Sequence, residues 1–330
     1  MRRALARLVE PRTLLGIGAG LSLLLTVGSL ADWREVAATA RRLPVPLVLV
    51  ATIAHLFGAA CRAARWLLML RGSGLRVPWR PALAAAFGSE LFGPLPASPL
   101  VASYLLHRSG AAGAATTIPV VLAGLWGEVV VVVGGTALVP DAAPPAVRLG
   151  AALICGAAVV GAVCLRWSAL HAIVWWLGRL AARGGQALFG WWRGSARWWD
   201  VLDDLRSWTP GATAAFGPRA LVPAVALTAL PVALGTSITA AIAASLGYPQ
   251  LTAPRAWAIA GAVMVLALAS PLPFDLGVVE GGNMLGYSWI GVPGAAAVTI
   301  GLLGRFTGAL IGFGLSAGVT WALRRELDAR

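Results

Sequence analysis

The sequence predicts an all-α protein, a polytopic membrane helix bundle with two broken, re-entrant helical hairpins and the pattern of an inverted repeat. Three observations lead there. Hydrophobic residues make up 58% of the 330 and charged residues only 12%, against roughly 25% charged in soluble domains. Such a chain cannot cover its surface with polar groups, which excludes an ordinary soluble, disordered, collagen-like or disulfide-built protein. Apolar runs of about 20 residues, the length that crosses a bilayer, recur along it. Two further runs are cut by proline-rich breaks that leave each half too short to cross.

The elements follow in order. Residues 13–31, behind Arg2, Arg3, Arg7 and Arg12, reach about 28 Å as a helix and exceed the apolar core of a signal peptide. They are read as an uncleaved anchor. The second span covers 46–70 and ends among Arg62, Arg65, Arg71, Arg76 and Arg80. Segments 82–92 and 100–108 then flank Gly93-Pro94-Leu95-Pro96-Ala97-Ser98-Pro99. Three prolines remove backbone donors at that join, and non-helical backbone at membrane depth survives only inside protein or beside a cavity. A hairpin that enters and returns is therefore expected. Segments 116–139 and 145–165 are ordinary spans joined by a turn at 140–144. The stretch 166–218 holds eight of the fifteen Trp, six Arg, and Asp200, Asp203 and Asp204. Paired Trp beside Arg indicates amphipathic segments in the headgroup layer, a cytoplasmic connector between two halves, 10–165 and 219–323, of one integral-membrane domain. Segment 221–246 crosses again, and 256–270 and 277–290 flank the break Pro271-Leu272-Pro273-Phe274-Asp275. Segment 294–323 is the last span, before Arg324, Arg325 and Arg330.

The formal net charge is +13, and every basic residue is arginine. When crossings are counted, the arginines at 2–12, 62–80, 166–219 and 324–330 fall on one side. The positive-inside rule then places both termini in the cytoplasm, with the chain in the plasma membrane of a bacterium or archaeon. Arg34, Arg41 and Arg42 are the exception. Arginine beside apolar spans points to membrane lipids as partners and not to nucleic acid. His55, His107 and His171 are isolated from one another, and no CxxC is present, so no metal site is expected.

The same count enters the first hairpin from inside and the second from outside. Pro94-Leu95-Pro96 is echoed by Pro271-Leu272-Pro273, and Gly113-Ala114-Ala115-Thr116-Thr117-Ile118 by Gly294-Ala295-Ala296-Ala297-Val298-Thr299-Ile300. Two like units in opposed orientation mark inverted-repeat transporters, whose broken helices meet near the midplane. An ionisable residue at membrane depth costs about 2.5–3.5 kcal/mol on insertion scales, so each is a candidate for function. Glu128 sits in the middle of 116–139 and Glu90 near the tip of the first hairpin. Asp275 and Glu280 flank the second break, with Asn283 three residues on, and Arg305 lies inside the last span. The economical arrangement pairs Arg305 with Glu280 or Glu128 in the interior, either to receive a headgroup or a proton or as a static pair that fixes helix packing. His55 is read as a hydrogen-bonded packing residue, and Arg62 and Arg65 as arginines snorkelling from a helix end.

Arg62-x-x-Arg65-Trp66, the proline-rich break before Tyr104-Leu105-Leu106, and Pro273-Phe274-Asp275-Leu276-Gly277-Val278-Val279-Glu280-Gly281 leading to Gly291-Val292-Pro293 and Arg305 resemble the flippase-like transmembrane family of the lysylphosphatidylglycerol synthetases, over 10–323. The resemblance implies a bundle with re-entrant elements that moves a polar-headed lipid between leaflets, with Glu280 and Arg305 as its acidic and basic site residues. The charges usual in the family's first half are replaced here by Ser98, Pro99, Ala102 and Gly124. The soluble aminoacyl-transferring domain of those synthetases has no counterpart in the seven residues after Leu323, and no P-loop or Rossmann fingerprint is present. Lipid aminoacylation, ATP-driven pumping and any cofactor are therefore not expected, nor is an enzyme. The leading expectation is a flippase or facilitator for an anionic or glycosylated lipid, with the headgroup in a polar cavity between the hairpins. The alternative is a non-transporting membrane scaffold that partners a glycosyltransferase or a lipid-synthesis enzyme through the Trp/Arg connector.

Overall fold

Hydrocarbon supplies no water to backbone N–H and C=O groups, so an apolar chain pairs them within each segment. The computed structural model describes residues 32–90, 98–109, 114–138, 144–166, 213–269 and 277–323, with Ser22, Leu25, Thr26 and Ser29 as isolated positions before them. Among these residues every regular element is a helix: α1 Trp33–Arg41, α2 Val45–Gly72, α3 Trp79–Glu90, α4 Ser98–Arg108, α5 Ala114–Leu138, α6 Pro145–Arg166, α7 Pro218–Ser245, α8 Ala253–Ala269, α9 Val278–Ser288 and α10 Gly294–Ala322. Four of them, α2, α5 through its stretch Thr117–Thr136, α7 and α10, are long and apolar enough to cross a membrane. The protein is an all-α membrane bundle. The rest of the expected first anchor, residues 93–97 of the first break, the whole second break and connector residues 167–212 lie outside the described residues, while Ser98 and Pro99, expected in the first break, begin α4.

The helix α1 is not announced by the apolar pattern. It forms because Asp32 caps it, its carboxylate accepting the Arg34 N–H at 2.9 Å, and because Val36, its one buried residue, packs with Ala295 and Val298 of α10.

At the centre, α2 and α7 run antiparallel. A Cβ on Gly72 would lie 2.6 Å from the Arg219 carbonyl oxygen, Arg65 bonds Thr228, and Gly58 faces Pro231, so numbers fall along one helix as they rise along the other. The short arms pack as two pairs, α3 on α4 and α8 on α9. Each pair then leans on the long helix of the other half: α3 lies on α10, and α8 on α5. Matching α2, α3, α4, α5 in order with α7, α8, α9, α10 exchanges these contacts. The helix α2 touches α3, α5 and α10 as α7 touches α8, α10 and α5, and α4 touches α5 as α9 touches α10.

The crossing of α8 on α5 is close enough for side chains of one helix to bond main-chain oxygens of the other. The Thr136 hydroxyl donates to the Ala258 carbonyl at 2.6 Å, and the Trp257 indole N–H to the Val131 carbonyl at 3.0 Å. Glycine at 261 permits it, since a Cβ there would fall 2.5 Å from the Val132 carbonyl oxygen and on the Thr136 hydroxyl. Gly261→Val should therefore overpack this crossing and destabilise the protein by about 1–3 kcal/mol. Heating detergent-purified protein and following the monodisperse fraction by size exclusion measures this; an unshifted midpoint would mean that the helices have room to part.

Candidate functional site

The second half buries a carboxylate with all its needs met. Gly277 precedes α9 in the left-handed region, φ 79°, which favours a residue without a Cβ. Its N–H donates to Glu280 Oε2 at 2.8 Å, so Glu280 reaches back over the first turn as a capping acid does, near the partial positive charge of the helix N-terminus. Arg305 Nη1 donates to the other oxygen, Oε1, at 2.8 Å. Glu280 is 1% exposed and the Arg305 side chain 25%. Of the two carboxylates considered for Arg305, Glu280 takes it, and the pair ties α9 to α10.

Glu128 has a different partner. Arg65 Nη2 lies 3.3 Å from Glu128 Oε2, while its Nη1 donates to the Thr228 hydroxyl at 2.8 Å. That hydroxyl in turn donates to the Ala224 carbonyl at 2.6 Å. One guanidinium thus joins α2, α5 and α7. This corrects the reading of Arg65 as a snorkelling helix-end residue: α2 continues to Gly72, and the side chain turns inward, where a carboxylate and a hydroxyl await it. The Glu128 side chain is 39% exposed, and that exposed part faces cavity.

Three cavities are strung through the bundle. The first, about 470 Å³, is walled by Trp66, Met69, Phe87, Ala102, Gly124 and Phe313 together with Arg62, Arg65 and Glu128. The second, about 290 Å³, shares Arg62, Arg65 and Glu128 with it and adds His55, Thr228, Pro231, Thr239 and Gly304. The third, about 380 Å³, shares Thr239, Ile300 and Gly304 with the second and is lined by Asn283, Tyr287 and Arg305. The series runs from the short helices α3 and α4 to α9. Its lining on α2 extends from Ala51 to Met69, about 27 Å at 1.5 Å per residue.

The structure therefore brings together Glu128, Asn283 and Arg305 along one series of cavities, with Glu280 closed off behind Arg305. Asn283 packs over Gly301, where a Cβ would meet its Nδ2 at 2.9 Å. Asp275 and the side chain of Glu90 lie outside the described residues. Sequence reasoning assigned His55, Arg62 and Arg65 to packing and to a helix end, whereas all three line the second cavity. A signal for them existed: Ala51, His55, Gly58, Arg62, Arg65 and Met69 recur at three and four residues, which puts them on one helix face. Among the described residues, no three His, Cys, Asp or Glu side chains are grouped to hold a metal ion.

The family described as the lysylphosphatidylglycerol synthase TM region matches residues 13–316. The chain belongs to that family. No curated protein matches it. As a member of the lysylphosphatidylglycerol synthase TM region family, it is a membrane domain of lipid-related processes, and both ion pairs and the cavity linings through Phe313 fall inside the matched residues.

The two ion pairs should respond differently to mutation. Arg305→Ala strands a fully buried carboxylate, which costs about 3–5 kcal/mol when a buried pair is broken. Glu128→Gln acts on a carboxylate facing a cavity and should cost less than about 1 kcal/mol. Thermal midpoints of the two purified variants give the order, and a larger loss in E128Q would exchange the roles assigned to the pairs.

Proposed function

We propose that the protein is a lipid flippase or facilitator, in which the headgroup of an anionic or glycosylated lipid travels through the series of cavities while its acyl chains stay in the bilayer. The continuity of the cavities carries this reading. Their extent along α2, about 27 Å at helical rise, is close to the hydrocarbon thickness of about 30 Å, and charged or hydroxyl side chains recur along it. The crosswise packing supports two re-entrant hairpins related as an inverted repeat, with Pro94-Leu95-Pro96 and Pro271-Leu272-Pro273 at their turns. The arginines around Gly72 and Arg219 support a plasma-membrane orientation with both termini in the cytoplasm. No covalent chemistry and no cofactor are assigned to the chain; movement is downhill or follows the membrane potential.

One observation favours a second reading. Ala102 and Gly124 form uncharged wall in the first cavity, as a membrane scaffold would tolerate if its task were to hold a glycosyltransferase or a lipid-synthesis enzyme through the Trp/Arg connector. Blocking the path separates the two. Gly304 lines the second and third cavities, and a Cβ on it meets nothing within 4 Å, so Gly304→Phe fills the path without a backbone clash. In proteoliposomes carrying a headgroup-labelled lipid, dithionite quenching of the inner-leaflet label should be fast with the wild-type protein and reduced at least about tenfold in G304F, the change expected for about 1.4 kcal/mol of added barrier. Wild-type quenching no faster than in protein-free liposomes would leave the scaffold, and equally fast quenching in a monodisperse G304F would mean that the headgroup does not pass Gly304.

A further inference from the structure

Where the first and second cavities meet, the charged residues they share among those described are Arg62 and Arg65 on α2 and Glu128 on α5. We infer that Arg62 and Arg65, with His55 next along the same face, form a binding site for a phosphate group, and that Glu128 is the internal anion which the phosphate displaces. The inference rests on the transport reading for its source of phosphate, a lipid headgroup, but its chemistry stands on the cavity walls alone.

Geometry distinguishes this locus from the pair in the second half. At 3.6 residues per turn, His55, Arg62 and Arg65 spread over about 80° of α2, and all three line the second cavity. Arg62 Nη1 lies 3.8 Å from where a Cβ on Gly58 would stand, so its guanidinium folds back along the helix toward His55. The imidazole packs over α10 in the space left by Gly308, where a Cβ would come 3.3 Å from its Cε1, and offers the cavity an N–H donor in either protonation state. Thr228 holds one arm of the Arg65 fork at 2.8 Å and so positions it. The other arm rests on Glu128 at 3.3 Å, longer than the 2.7–2.9 Å of a strong charge-assisted bond. A phosphate oxygen matches the guanidinium fork better and brings more charge. Glu280 holds Arg305 at 2.8 Å and is 1% exposed, so no such exchange is open there. Two cavities of about 290 and 470 Å³ fall in the size range of small-molecule sites, and Leu227, Val232 and Leu303 give the second an apolar wall suited to the glycerol end of a lipid.

Native mass spectrometry of the full chain in mild detergent tests the site. The probes are dioleoylphosphatidylglycerol, dioleoylglycerol, which has the same chains without phosphate, and sodium phosphate as competitor. Wild type should retain the phospholipid and not the diacylglycerol. Arg65→Gln should lower retention by about tenfold, the change expected for one charge-assisted bond, and Thr228→Val by less. Glu128→Gln should raise retention, because it removes the competing anion. This opposite sign is what a merely structural role of the Arg65–Glu128 pair would not produce. Leu153→Ala, on the outer face of α6, serves as the unchanged control. Full competition by millimolar sodium phosphate would keep the site and assign it to a free phosphate. Equal retention of dioleoylglycerol, or loss in both R65Q and E128Q, would overturn it. A wild-type protein that retains the phospholipid but transports nothing would defeat the transport reading and leave this site standing.

Discussion

A helix that is too short to cross hydrocarbon must be covered by protein, because lipid satisfies none of its terminal carbonyls and N–H groups. The short helices α3, α4, α8 and α9 have 12, 11, 17 and 11 residues, and this requirement organises the rest of the bundle. Each pair of arms is sheltered by its own sister helix and by a long helix of the opposite half, α10 for the first pair and α5 for the second. The two long helices that precede these arms, α2 and α7, are left to face each other antiparallel along the centre. Helices that cross in this way leave space wherever small residues meet larger ones, and Gly58, Gly304, Gly308 and Gly312 stand along that space. The cavities are therefore a product of how short arms are protected.

The charges divide according to how completely each is enclosed. In a medium of low dielectric an ion pair is strong, but both members are costly to bury, and the balance turns on how many hydrogen bonds complete the geometry. Glu280 has the Gly277 N–H, the Arg305 guanidinium and the helix N-terminus, and it can be shut away. Glu128 has one long contact, and it keeps much of its surface on a cavity.

Most of the fold was legible in the sequence. The ends of the spans at 46–70, 145–165 and 294–323 agree with α2, α6 and α10 within a few residues, because hydropathy over some twenty residues is a strong signal. The pairing of Glu280 with Arg305 was also accessible, since unpaired charge at that depth is expensive and few partners exist. What escaped was α1, nine residues whose formation depends on a cap and on one contact with α10. The inward turn of Arg65 escaped as well. A guanidinium near a helix end reads as exposed until the end is known to lie beyond it, and Thr228 and Glu128 reach it only through the packing of α7 and α5 on α2. Long-range neighbours of this kind leave no trace in local spacing, although the stripe from Ala51 to Met69 marks the face on which they meet.

The two halves match in packing, and among the described residues different contacts hold their short arms. The arm α9 is tied to α10 by the Glu280–Arg305 pair. The arms α3 and α4 enter their core through Ala82, Ala85 and Leu106, set against Met69 and Val120, while the Ser103 hydroxyl is buried without a hydrogen-bond partner. Lipid tails are as apolar as these side chains, so this contact contributes what close packing gives. An ion pair acts over a longer range and through fixed directions, so α9 is held in place as well as in contact.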